Sequence, residues 1–178
     1  MCSVLVNYLK KNYDNEKMDL YTVFIKVCQQ LTKNKGYFAM ITQQGWMFLP
    51  TYLKMRNDIL DNGTICSLLH LGPGTFDSIG GEVVQSSAFV IKNEKINDYI
   101  SKFVKLDDVS NKEQVYLTEP KFYNKSIDDL KNIKGFPLAY WLSNNIRRYG
   151  AILSAGLGYD CNLRNPSLCR ITKYLFQR

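Results

Sequence analysis

The sequence predicts an α/β protein built on an open, mostly parallel sheet whose final strand runs antiparallel to its predecessor. Three observations carry this reading. Leu20, Phe24, Val27, Cys28 and Leu31 recur at intervals of three and four, the spacing of an amphipathic helix. Gly36 to Thr42, Ile65 to Leu71 and Glu82 to Ile91 are short apolar runs with glycines at their borders, as strands buried on both faces read. Helical and strand patterns alternate from Met18 to Leu71, which is the order of a βαβ unit.

Taken in order, Val4, Leu5, Tyr8 and Leu9 form a short helix that Lys10 to Asn15 interrupts. The helix from Met18 is expected to be capped by Asp14 or Asn15 and to stop near Asn34 to Gly36. After the strand to Thr42, the turn Gln43-Gln44-Gly45-Trp46 gathers polar groups at a strand's carboxyl end. Pro50 suits the first turn of a second helix, with Leu49, Leu53, Ile59 and Leu60 on one side and Asp61-Asn62-Gly63 at its end. A strand, helix, strand unit of this kind is a right-handed crossover between parallel strands, and ligands in such sheets sit beyond the strands' carboxyl ends. That edge carries Thr42 to Trp46 and Gly72 to Phe76. Glu82 to Ile91 follows too closely for a helical return, so it is placed antiparallel. Beyond Lys92 the pattern loosens, and Pro137 opens a short helix through Leu138 to Leu142 that ends in Arg147-Arg148.

Composition narrows the function. The 178 residues are 46% hydrophobic, enough for a packed core. No apolar run is long enough to span a membrane, and the start makes a poor secretory signal. Five widely spaced cysteines, without a Cys-x-x-Cys and with a single histidine, indicate neither a disulfide framework nor a zinc site. A reducing, cytoplasmic compartment is expected. The net charge of +7 and pI near 9.1 favour polyanionic partners such as DNA.

Individual motifs carry bland readings beside sharper ones. Gly72-Pro73-Gly74 follows a strand but leads into a turn and another strand where a nucleotide-binding glycine loop needs a helix, and Gly156-Leu157-Gly158 follows no convincing strand, so both read as turns. His70 has no nucleophile or metal partner in the pattern and reads as core or strand-end packing. Asp107-Asp108 and Asp128-Asp129 are adjacent pairs whose side chains face apart, which suits surface solvation rather than acid–base chemistry. Trp46 and Phe76 stand beside polar residues at the ligand edge, where core packing and base stacking both fit. Gln43, Gln44, Arg147 and Arg148 are candidates for contacting DNA, the arginines through phosphates or as a solvated face.

Five stretches in this order resemble a known family: Asp19 to Ile25, Gly36 to Leu49, Leu68 to Gly72, Gly81 to Val90, and Gly135-Phe136-Pro137-Leu138-Ala139-Tyr140-Trp141. They are similar to adenine-specific DNA methyltransferases of the BREX phage-exclusion (PglX) type and their type II restriction-modification relatives. The resemblance implies the C-terminal half of a Rossmann-like, S-adenosylmethionine-dependent sheet with a mixed C-terminal extension. It divides the chain into a partial catalytic domain (1–95), a linker or peripheral element (96–134) and the start of a target-recognition region (135–178). It also implies methyl transfer to N6 of an adenine flipped from DNA, in a restriction-modification or phage-exclusion system.

This chemistry uses an Asn-Pro-Pro-Tyr type loop to hold the amine and stack the base. The tetrapeptide is absent here, and the lone Asn165-Pro166 lies in the tail. The chain is therefore expected to be inactive alone and not to bind S-adenosylmethionine by itself; its partners would be DNA and the missing catalytic half or other defence subunits, without a metal. By position in the family, Phe76 corresponds to an aromatic contact with the target base. The alternatives are a non-catalytic DNA-binding or assembly module, and a small-molecule enzyme for which no catalytic constellation is present.

Overall fold

Five strands form one sheet in the computed structural model, which describes residues 2–76, 84–132 and 135–142. They are β1 (Tyr37–Gln43), β2 (Thr64–Gly72), β3 (Ser86–Lys92), β4 (Ser101–Lys105) and β5 (Phe122–Lys125), in the order β1-β3-β2-β4-β5. The helices are α1 (Ser3–Asn12), α2 (Leu20–Leu31), α3 (Leu53–Asn62), α4 (Lys112–Thr118) and α5 (Ile127–Lys131). The α/β class stands, and β3 runs antiparallel to β2 as expected.

The expected mostly parallel sheet is corrected. β3 does not close the sheet at its margin; it inserts between β1 and β2 and pairs antiparallel with both. Among the described strands only β2 and β4 are parallel neighbours. β1 and β2 thus point the same way without touching. Periodicity reports which faces of a strand are apolar and is silent on which strand lies beside it, so the pattern could not reveal this insertion.

Two local expectations also change. Ser101–Lys105, inside the stretch expected as a linker or peripheral element, is β4, with Phe103 and Val104 buried; β5 beside it is the outermost strand on that side. Pro137 to Leu142 is an irregular, turn-containing strap instead of a short helix. Its Leu138 N–H donates to the Met47 carbonyl at 2.9 Å, while the Ala139 and Leu142 N–H groups close local turns on the Pro137 and Ala139 carbonyls.

The core lies on one face of the sheet. Phe38, Leu68, Phe89, Ile91 and Phe103 meet Ile25, Met47, Met55, Ile59 and Leu60 from the helical side. α2 turns a different side inward from the one predicted: Thr22, Val23 and Ile25 are buried, whereas Phe24 is 55% and Leu31 82% exposed. The helix is apolar over most of its circumference, so spacing alone could not choose the buried side. Asp19, rather than Asp14 or Asn15, is its N-cap residue.

Candidate functional site at the carboxyl edge of the sheet

The ends of three strands converge because Ser86, the first residue of β3, stands opposite Gln43 of β1 on one side and Gly72 of β2 on the other. β1 leads directly into a 3-10 turn, Gln44–Met47, whose Gln44 N–H donates to the Gln85 carbonyl at 2.9 Å. After β2 the chain reverses through Gly72 and Gly74, both at positive φ, and the described loop ends at Phe76. The Gly72 turn is closed from below, since a Cβ there would stand 2.4 Å from the Asp107 Cβ.

His70 is the centre of this edge. It is buried, and both ring nitrogens are engaged: Nδ1 lies 3.1 Å from the Tyr140 hydroxyl and Nε2 lies 2.6 Å from Gln44 Oε1. Gln44 Oε1 can only accept, so Nε2 carries the proton and Nδ1 accepts from Tyr140. The Gln44 amide in turn donates to Gln85 Oε1. One directed chain, Tyr140 to His70 to Gln44 to Gln85, therefore ties the 135–142 strap to the residues entering β3. Phe48 and Trp141 complete the surround, with ring centroids 5.7 and 6.1 Å from the imidazole.

Burial pushes the His70 imidazole below its ordinary value of 6.5; Lys105 acts in the same direction, while Asp107 and Asp108 oppose it. A depressed folded-state value means that the unfolded chain takes up a proton first as pH falls. The contribution is complete above pH 6.5 and is lost as pH drops towards the folded value. Unfolding free energy is thus expected to fall below pH 6.5, at up to about 1.4 kcal/mol per pH unit. His70→Gln removes that slope. Measuring urea unfolding of both proteins at each pH and taking the difference cancels the opposite contribution of Glu16, whose carboxyl burial pushes up.

Arg56 organises the other side of the site. It is 1% exposed and has no carboxylate partner among the described residues; its guanidinium donates to four carbonyls, those of Trp46 (2.9 Å), Leu49 (2.7 Å), Gly135 (2.8 Å) and Phe136 (3.1 Å). Burial without a counter-ion lowers its value from 12.5 to about 10, so it remains a cation at neutral pH. One side chain on α3 therefore fastens the turn after β1 to the strap that carries Tyr140.

The predicted residues separate in space. Gln43 is exposed at the edge, and Phe76 is 43% exposed at the end of its loop. Gln44 spends its amide on His70 and Gln85. Trp46 is corrected as a DNA-facing candidate: it is fully buried, edge-on to Phe89 with centroids 5.1 Å apart. Arg147 and Arg148, like Gly156-Leu157-Gly158 and Asn165-Pro166, lie outside the described residues. Asp107 and Asp129 depart from simple solvation. Asp107 pairs with Lys105 at 2.7 Å, and Asp129 closes a capping box with Ser126 on α5. Sequence reading passed over Arg56, although a lone arginine among Leu53, Met55, Ile59 and Leu60 was the available sign.

Gly72 is packed against Asp107, whereas a Cβ at Gly74 would meet nothing within 4 Å. Among the described residues no group of histidine, cysteine and carboxylates is placed to hold a metal ion, and no helix is long and apolar enough to cross a membrane.

Comparison with known proteins adds sequence and fold relations. A family model described as Eco57I restriction-modification methylase matches residues 3–76. The chain is 37% identical over 152 residues to the adenine-specific methyltransferase PglX of Lacticaseibacillus casei (strain Zhang), covering 80% of this chain and 13% of the relative. It is 36% identical over 140 residues to the adenine-specific methyltransferase BrxX of Escherichia coli O9:H4 (strain HS), covering 77% and 12%. The chain thus spans about one eighth of the length of these curated relatives. In fold it is similar to the M protein of the type I restriction enzyme EcoKI, with a TM-score of 0.52 at 11% identity over 90% of this chain and 47% of that one.

Proposed function

The chain belongs to the family of PglX-type adenine-specific methyltransferases related to the Eco57I restriction-modification methylases, and on that premise we propose that it supplies the base-facing edge of a DNA adenine-N6 methyltransferase. The observation that carries this reading is the 37% identity to PglX, which extends across 80% of the chain. The geometry supports it. Gln43 is exposed where three strand ends meet, Phe76 is exposed at the end of the loop that leaves β2, and the Tyr140–His70–Gln44–Gln85 chain ties that edge to the strap.

In this reading Phe76 stacks on the flipped adenine, and the strap 135–142 connects the edge to the target-recognition region. Bound S-adenosylmethionine would supply the methyl group, held by residues outside this chain. The Asn-Pro-Pro-Tyr loop is likewise contributed from outside, so the chain alone does not catalyse. The system is a restriction-modification or phage-exclusion one, and the site of action is the cytoplasm.

The test uses labelled S-adenosylmethionine and adenine-containing DNA. The purified chain is expected to transfer no methyl group. Transfer is expected when it is mixed with the L. casei relative from which the matched segment has been deleted. Under those conditions Phe76→Ala should lower kcat/KM about 5- to 150-fold, the value of one base–aromatic stack, without changing the melting temperature of the chain. Transfer by the isolated chain, or a Phe76→Ala mixture as active as the parent, would overturn the assignment.

The second reading, a non-catalytic DNA-binding module, is favoured by the charge of +7. It predicts affinity for DNA that falls steeply with salt in the isolated chain, whether or not the mixture is active.

A further inference from the structure

The hydrogen-bond chain at the carboxyl edge has a direction, and its last member is exposed. The Tyr140 hydroxyl donates to His70 Nδ1, His70 Nε2 donates to Gln44 Oε1, and the Gln44 amide donates to Gln85 Oε1. Tyr140 and His70 are buried, Gln44 is half-buried and Gln85 is exposed. Because its oxygen faces the Gln44 donor, the Gln85 amide has one orientation, with the NH2 group turned away from Gln44. That NH2 has no hydrogen-bond partner among the described residues. The backbone is fixed as well, since the Gln44 N–H donates to the Gln85 carbonyl at 2.9 Å. Ser86, next to Gln85, stands opposite Gln43 and opposite Gly72, where the loop that ends at Phe76 begins. An oriented donor therefore stands on the edge proposed to face the target base.

Charge decides what such a donor meets. Lys105, beside His70 in the parallel register of β2 and β4, is paired with Asp107 and Asp108. Gln43, Gln44, Ser86 and Ser87 are neutral. Phosphates are gathered chiefly by lysine and arginine, whereas a lone amide donor suits an uncharged acceptor on a base. On the target adenine the amine is the nucleophile, and a donor placed there would compete for the lone pair that attacks the methyl group. A donor on a ring nitrogen leaves that pair free. We infer that Gln85 is a specificity-determining residue whose NH2 group donates to a ring nitrogen of the target adenine (N1, N3 or N7), with Tyr140, His70 and Gln44 holding the amide in that orientation. At N1 the same contact rejects guanine, whose N1 carries a proton. This rests on the reading of the chain as part of an adenine methyltransferase, and it goes beyond that reading by naming the group that reads the base ring.

The experiment uses the full chain mixed with the L. casei relative lacking its matched segment, labelled S-adenosylmethionine, and synthetic DNA. In the DNA, the adenine that the parent mixture methylates is kept or replaced by 1-deaza-, 3-deaza- or 7-deazaadenine. On adenine, Gln85→Ala is expected to lower kcat/KM about 2- to 12-fold, the worth of one hydrogen bond, and Gln85→Glu at least as much. Gln85→Glu separates the two roles of the amide, because it keeps an oxygen for Gln44 and loses the outward NH2. On the analogue that lacks the contacted nitrogen, parent and Gln85→Ala are expected to be equally active, which identifies that nitrogen. Gln85 is exposed, so both variants should melt with the parent. In the isolated chain, 15N shifts should place the His70 proton on Nε2.

Full activity of Gln85→Glu would mean that Gln85 serves only as an acceptor for Gln44. A loss that persists on every analogue would put its contact on a phosphate or another group instead of a ring nitrogen. A His70 proton on Nδ1 would reverse the chain and turn the Gln85 oxygen outward. Each of these overturns the inference while leaving methyl transfer by the parent mixture intact. A parent mixture that transfers nothing removes the methyltransferase reading, and the inference with it.

Discussion

Replacing Arg56 with methionine is expected to lower the unfolding free energy by roughly 3–5 kcal/mol, measured as a shift in the urea midpoint at constant slope. The arithmetic follows from the four carbonyls that the guanidinium satisfies. A hydrogen bond to a charged donor is worth about 1.5–3 kcal/mol, and each buried acceptor left without a donor costs about 1–3 kcal/mol. Against this stands the cost of burying the cation, which methionine avoids. The net falls well short of the sum. Arg56→Lys keeps the charge but not the planar fork, so it should recover only part of the loss. Because Gly135 and Phe136 lie on the strap and Trp46 and Leu49 on the turn after β1, hydrogen exchange is expected to rise in both segments together. A loss below about 1 kcal/mol would show that water replaces the guanidinium and that the staple is not structural.

Tyr140→Ala should be comparably severe, at about 3–5 kcal/mol. The ring is fully buried, stacked on Phe103 at 4.7 Å and edge-on to Tyr123 and Trp141 at 5.5 and 5.0 Å. Tyr140→Phe separates hydroxyl from ring. It keeps the packing and strips His70 Nδ1 of its donor, for an expected loss of about 1 kcal/mol. It should also change the imidazole's 15N shifts, since the neutral ring no longer has a donor fixing Nδ1 as the acceptor. Arg56 and Tyr140 hold the same strap, so the double variant is expected to lose less than the two single losses combined. Strict additivity would mean that the strap is held at two independent points.

Legibility differed between local structure and site. The strands at Gly36 to Thr42 and Ile65 to Leu71, the helix following Pro50 and the antiparallel run of β3 were readable, because apolar spacing, glycine borders and proline placement are local properties. That His70 packs in the core or at a strand end was readable from its apolar neighbours. Its partners were not: Gln44 is 26 positions away and Tyr140 is 70. Trp46 illustrates the limit, since a tryptophan beside glutamines can face either water or core, and only the turn of Gln44–Met47 directs it inward.

By itself, then, the sequence determined the α/β class, the run of elements to Ile91 and, through five ordered stretches of resemblance, the methyltransferase family. The tertiary structure alone decided that β3 lies between β1 and β2, that α2 turns Ile25 rather than Phe24 inward, and that Arg56 fastens the strap. The reason is physical. Periodicity encodes which residues share a face, a property of neighbours along the chain, whereas strand order, buried-donor pairing and the covering of a face depend on residues that meet only after the chain has folded.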